Sequence, residues 1–91
     1  MSKDEIKNRV IPIIELVVEE TNYYKDRDKI NITEIDSFNK LELNELDNID
    51  IIIRCEKEFN ISIPDEDIND MNKWLISDLI EYLSNNYLKH I

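Results

Sequence analysis

Side chains able to do chemistry are few in this chain, and their spacing does not assemble them. Cys55 is the single thiol and His90 the single imidazole. A reactive thiolate needs exposure and a nearby cation. Arg54 and Lys57 lie close to Cys55 in sequence, but Cys55 falls on the apolar period of its segment, so it reads as a small buried residue. His90 has no nucleophile at a useful spacing and reads as solvated. Asp65, Glu66, Asp67 and Asp70 could attract a hard cation, yet the central glycine of a calcium loop is absent. They read as the charged, solvated start of a helix. The chain holds no Ser-His-Asp set, no paired cysteines and no glycine-rich phosphate loop, for it holds no glycine at all. These residues predict neither a catalytic site nor a metal site, and no enzyme.

The elements that would position any other site are helical. Ser2 and Glu5 form an S-x-x-E capping box, and Ile6, Val10, Ile13, Ile14, Val17 and Val18 follow at helical spacing to about Glu20. Pro12 inside this first helix predicts a kink near Asn8–Pro12. From Thr21 to Leu43 no helical period is sustained. Ile30, Ile32, Ile35, Phe38 and Leu41 are apolar anchors there, and Thr33 with Asp36 predicts one capped turn. Asn44, with Asp47 three residues on, opens a second helix, whose inward stripe is expected at Leu46, Ile49, Ile52 (or Ile53), Cys55 (or the apolar stem of Arg54) and Phe59. Pro64 suits the first position of a short third helix to about Asn69. Trp74, Ile76, Leu79, Ile80, Leu83 and Tyr87 give the last helix, to about Lys89.

Ninety-one residues make one domain, residues 1–91, burying about 60–65% of its unfolded surface. The absence of glycine argues against a hairpin-rich β fold. No stretch reaches the roughly 18 apolar residues of a membrane helix, so no membrane insertion is expected. The single cysteine excludes a disulfide framework and fits a cytoplasmic setting. Net charge is −10, and residues 41–70 hold ten acids against Arg54 and Lys57. Charge this concentrated repels nucleic acid and predicts a basic protein surface as partner.

The run Asn44–Pro64, NELDNIDIIIRCEKEFNISIP, resembles the second helix of the acyl carrier proteins and the turn after it. That family opens this helix with Asp-Ser-Leu and closes it with an acidic run, a Phe and an Ile-Pro; here Asn44-Glu45-Leu46 opens it and Phe59 and Ile63-Pro64 close it. In the family the Phe lies fourteen residues after the serine that carries the phosphopantetheine arm, and the Pro nineteen. Fourteen residues before Phe59 and nineteen before Pro64 both fall on Glu45. Trp74–Ile80 likewise resembles the start of the family's final helix. The resemblance covers nearly the whole chain, most strongly residues 37–66. It implies an all-α, acyl-carrier-protein-like four-helix bundle of three main helices and one short one, with a long loop between the first two.

What the resemblance implies about function is altered at one position. A serine attacking the pyrophosphate of coenzyme A leaves a stable phosphodiester, whereas Glu45 would leave an acyl phosphate that water cleaves. Glu45 therefore holds no durable arm, and its plain role is an acid in a helix's first turn. Ser37 in Asp36-Ser37-Phe38 copies the motif superficially but stands eight residues too far from Phe59. No cofactor is expected; 4'-phosphopantetheine enters only if the chain is a serine-lacking variant of a working carrier. The expected role is a monomeric docking or regulatory module for a basic enzyme of acyl, fatty-acid or other thioester metabolism, such as an acyl-transfer enzyme or synthase. Glu45, Asp47, Asp50, Ile53, Glu56 and Glu58 form its contact set. A small acidic immunity- or inhibitor-type protein is the alternative of another class.

Overall fold

The computed structural model describes residues 2–21, 32–41 and 43–89, with side chains to Asn86. Ile30, His90 and the side chain of Tyr87 lie outside the described residues. Three α-helices carry the fold: α1 (Lys3–Thr21), α2 (Glu45–Phe59) and α3 (Ile76–Lys89). Short 3-10 turns occupy Asn39–Leu41, Asp65–Ile68 and Met71–Lys73, and there is no strand among the described residues. The architecture is the all-α bundle expected.

Helix α1 starts where its cap requires. The Ser2 hydroxyl accepts the Glu5 backbone N–H at 3.2 Å, satisfying a donor that the first turn leaves without a partner. Pro12 lies inside α1 on its exposed side and does not end it. The opposite face, Ile6, Val10, Ile14, Val17 and Val18, is buried against α2 and α3.

The connection from α1 to α2 is pinned by side chains and backbone together. Ile32, Phe38 and Leu41 are buried, Phe38 completely. Asp36 closes the expected turn by accepting the Thr33 N–H at 2.9 Å, and Lys40 donates to the same carboxylate at 2.8 Å. Those two contacts, Lys40 first, hold the Asp36 carboxyl below its ordinary pKa. Backbone bonds then tie this segment to the start of α3: Phe38 N to Trp74 O at 3.0 Å, Ile76 N to Asp36 O and Ser77 N to Glu34 O, both at 2.8 Å. Ile35 is not the anchor expected of it. It sits at the tip of the turn, 77% exposed, because the turn that buries Ile32 points its crown outward.

The phase of α2 also departs from the expected stripe. Asn48, Ile51, Ile52, Cys55 and Phe59 face the core, whereas Leu46 and Ile49 face outward. At about 100° per residue the buried set spans an arc of roughly 100°. Leu46, Ile49 and Ile53 share a second arc about 140° away from its centre. Apolar residues occur on both arcs, so periodicity alone could not choose between them.

The third element is 3-10 rather than α-helical. Pro64 precedes it as the cap residue, and a second 3-10 turn follows at Met71–Lys73. Helix α3 begins at Ile76, two residues after Trp74, with the Asp78 carboxylate accepting the Leu75 N–H at 2.8 Å. Its buried face is Ile76, Leu79, Ile80 and Leu83.

Candidate functional site on the second helix

The first turn of α2 is built by reciprocal capping. Asn44 Oδ1 accepts the Asp47 N–H at 2.9 Å, and the Asp47 carboxylate accepts the Asn44 N–H at 3.2 Å. The helix ends at Asn60, whose left-handed φ of 53° turns the chain out. In a chain without glycine, asparagine is among the residues that tolerate that conformation best. Between these caps α2 is locked in rotation by its buried arc.

That rotation presents Leu46, Ile49 and Ile53, 75%, 41% and 44% exposed, on one solvent face. Glu45 borders this face on one side and Asp50 on the other. Among the described residues no hydrogen bond or ion pair engages the Glu45 side chain. Asp50 accepts from Arg54 Nε at 3.0 Å, and the same guanidinium reaches Glu20 of α1 at 3.0 Å. The bond to Asp50 is the main reason the Arg54 pKa lies above its ordinary value. Asp47 sits further round, its carboxylate committed to the cap.

The remaining two acids of the expected set turn to opposite flanks. Glu56 accepts the Ile63 N–H at 3.0 Å and so fixes the exit toward Pro64. Glu58 faces α1 and pairs with Arg9 at 3.4 Å. Glu45, Asp50, Ile53 and Glu56 thus share that side of α2, with the Glu56 carboxylate committed to the Ile63 N–H; Asp47 and Glu58 are not on it. Sequence reasoning missed Leu46 and Ile49 as surface residues, although apolar residues on two separate arcs of α2 were a signal that one stripe too many was present.

A cleft of about 380 Å³ opens beside this face. Glu45, Asn48 and Ile49 of α2 form one wall, and Asp65, Ile68, Asn69, Met71 and Asn72 of the 3-10 turns and the residues joining them form the other. Asn48 is only 6% exposed. Its Nδ2 donates to Asn72 Oδ1 at 2.6 Å, and its own Oδ1 is buried without a hydrogen-bond partner. A second hollow of about 560 Å³ lies between α1 and the 32–35 turn. Its lysine, Lys7, is paired with Glu34 at 3.7 Å.

Other candidates are occupied structurally. Cys55 is fully buried, and burial, reinforced by Glu58 and Glu56, pushes its thiol up to about 12. Such a group is not a nucleophile at neutral pH. Ser37 is half-buried, and its hydroxyl accepts the Lys40 N–H at 3.2 Å, capping the Asn39–Leu41 turn. Asp67 accepts from the Tyr82 hydroxyl at 2.7 Å. No group of three potential metal ligands occurs among the described residues.

The sequence is similar to that of the acyl carrier protein of Porphyromonas gingivalis, with 33% identity over 75 residues, which is 81% of this chain and 88% of the relative. The chain belongs to the acyl carrier protein family. Mitochondrial acyl carrier proteins of Neurospora crassa and Dictyostelium discoideum are also similar, at 31% and 34% identity over 91% of this chain. The chain spans 57% and 62% of those relatives' own lengths. No family model and no solved structure gives a significant match. The relatives are carriers by name rather than enzymes. Two of them are named mitochondrial, so they lend no support to a cytoplasmic setting. Among the described residues no helix is long and apolar enough to cross a membrane.

The family's prosthetic group, 4'-phosphopantetheine, requires a hydroxyl that forms a stable phosphodiester. The exposed first turn of α2 offers the carboxylate of Glu45 instead, and Ser37 is held in a cap.

Proposed function

We propose that this chain is a carrier-fold protein without the attachment serine, with Glu45 in its place, that acts as a docking or regulatory module rather than as a shuttle for acyl groups. The observation that carries the reading is the outward ridge of α2, where exposed Leu46, Ile49 and Ile53 lie between Glu45 and Asp50. A helix that buries one apolar arc and still exposes a second one invites a partner. Its acids select a partner with a basic groove. In the acyl carrier family, acids along this helix engage synthases and transferases, so the partner class is a basic enzyme of acyl, fatty-acid or related thioester metabolism.

Asp47, Glu56 and Glu58 belong to this surface as its margins, contributing to the field around it while holding the helix ends and the α1 contact. Glu45 supplies a fixed negative charge where a loaded carrier would have its phosphate. The module works as a monomer, in a reducing compartment such as the cytoplasm.

Two measurements test the reading. Incubation with coenzyme A and a phosphopantetheinyl transferase should leave the mass unchanged. Gain of one phosphopantetheine would make the chain a working carrier and overturn the proposal. Glu45→Ser should then accept the arm, because the scaffold around it is that of a carrier. Separately, Asp47→Lys with Asp50→Lys should slow association with the partner enzyme and weaken its salt dependence, whereas reversal of Asp78 and Glu81 on α3 should not. Equal effects from both reversals would move the docking face off α2.

A further inference from the structure

The hollow of about 560 Å³ between α1 and the 32–35 turn shares no residue with the α2 ridge or the cleft beside it. Its apolar wall is made by Ile11 and Pro12 of α1 and by Ile32 and Ile35 of the turn. Ile35 is 77% exposed, an isoleucine that the fold leaves in water on the rim. Among the lining residues Lys7 and Glu34 carry charge, one of each sign. They face each other at 3.7 Å, their side chains 39% and 46% exposed. That distance is long for a charge-assisted hydrogen bond, and a pair this exposed contributes little to the fold. A ligand that serves both ends can therefore part it readily.

Charge and shape together narrow the ligand class. A lone carboxylate that approaches Lys7 also meets Glu34, and a lone amine that approaches Glu34 also meets Lys7. Either one gains an attraction and suffers a repulsion. A ligand that holds both charges side by side gains two attractions. In an α-amino acid the nitrogen and the carboxyl carbon lie about 2.5 Å apart, so one small head group can face both side chains at once. Its side chain branches from the carbon between the two charges and is free to lie along the apolar wall. Removing that wall from water supplies the driving force, and the charges supply the selection.

We infer that the hollow between α1 and the 32–35 turn, with Lys7 and Glu34 at its edge, binds a free α-amino acid with an aliphatic side chain. The ligand carboxylate accepts from the Lys7 ammonium, the ligand ammonium donates to the Glu34 carboxylate, and the side chain covers Pro12 and Ile35. The inference goes beyond the docking reading and stands or falls without it. In a regulatory module such a site is an input separate from the surface that meets the enzyme.

The test uses the full chain, isotopically labelled, titrated at neutral pH and low ionic strength and read by amide chemical shifts. Leucine should give saturable shifts in the millimolar range, centred on the amides of Lys7, Asn8 and Ile11 and of Thr33, Glu34 and Ile35. Isocaproate, which is leucine without its amine, and isopentylamine, which is leucine without its carboxylate, should each bind roughly fivefold more weakly or worse. Glycine, with the head group and no side chain, should leave those signals unmoved. Glu34→Gln should weaken leucine roughly two- to fivefold and strengthen isocaproate, because Lys7 is freed. Lys7→Gln should weaken leucine to a similar extent and strengthen isopentylamine. A residue that only held the fold would shift all three ligands in one direction.

Absence of saturable shifts with leucine, shifts centred on α2, or equal binding of uncharged isopentanol would overturn the inference, the last by reducing the site to an apolar hollow. Equal binding of glycine would overturn the assignment to an aliphatic side chain. Should either variant disturb the rest of the spectrum, the ligand series on the unaltered chain decides by itself.

Discussion

The rotation of α2 decides which residues meet a partner, and stability measurements alone can test it. Ile51 is fully buried and Leu46, five residues earlier, is 75% exposed. Ile51→Ala removes buried methyl groups and leaves a cavity, at a cost of about 2–5 kcal/mol. That is about a fifth or more of the roughly 5–10 kcal/mol expected of a chain this size. Full burial of a leucine side chain is worth about 1.5–3 kcal/mol. Leu46 has only about a quarter of its surface to lose, so Leu46→Ala should cost about 0.4–0.8 kcal/mol, less the small gain in helix propensity of alanine. Ile53→Ala, with Ile53 44% exposed, should fall between, near 1 kcal/mol. Urea unfolding followed by far-ultraviolet circular dichroism reads these values as midpoint shifts. At a slope of about 1–1.5 kcal/mol/M, Leu46→Ala should move the midpoint by about 0.5 M or less and Ile51→Ala by several times more. Should Ile51→Ala leave no folded baseline, Ile51→Val supplies a milder loss of about 0.5–1.5 kcal/mol. The reasoning fails if Leu46→Ala costs as much as Ile51→Ala, for then the arc carrying Leu46 and Ile49 would be the buried one.

Three further outcomes follow from particular contacts. Asn44→Ala removes the side chain that caps α2 and should cost about 1 kcal/mol, lowering the thermal midpoint by roughly 4–8 °C. Tyr82, buried in part and bonded to Asp67, has its phenol pushed up to about 12. Absorbance at the phenolate band should show it still protonated at pH 11, and because its folded pKa is raised, its contribution to stability is complete below about pH 10 and is lost as pH climbs through 12. Asp36 runs the other way: its lowered carboxyl pKa gives stability present above about pH 4 that is lost as pH falls through the folded value, and Asp36→Asn should flatten that acid limb in a pH series of unfolding midpoints.

Some of the candidate site was written plainly in the chain. The Asn44–Asp47 cap, the spacing from Glu45 to Phe59 and Pro64, and the acidic charge of residues 41–70 are local or additive properties, which survive without any knowledge of neighbours. The same holds for the burial of α1 through Ile6, Val10, Ile14 and Val17, because that helix has one dominant apolar stripe with charge around it. Cys55 was legible as a buried residue because it recurs on one helical period with Ile52 and Phe59.

What the chain could not express is which of two apolar arcs on α2 faces the core. Both Leu46-Ile49-Ile53 and Ile51-Ile52-Cys55-Phe59 satisfy a helical period, and a period carries no information about direction. The choice is made by the bundle: Phe59 and Ile51 enter a core shared with Phe38, Val10 and Leu79, and Asn48 turns inward to meet Asn72. Once that face is buried, Leu46, Ile49 and Ile53 are left outside beside Glu45. Ile35 shows the same limit at a smaller scale, since only the bonds from Ile76 and Ser77 to the Asp36 and Glu34 carbonyls decide which side of its turn faces water. Local chemistry determined that this chain makes capped, acidic helices of a carrier; tertiary packing, which alone compares competing faces for one core, decided which side chains remained outside to recognise anything.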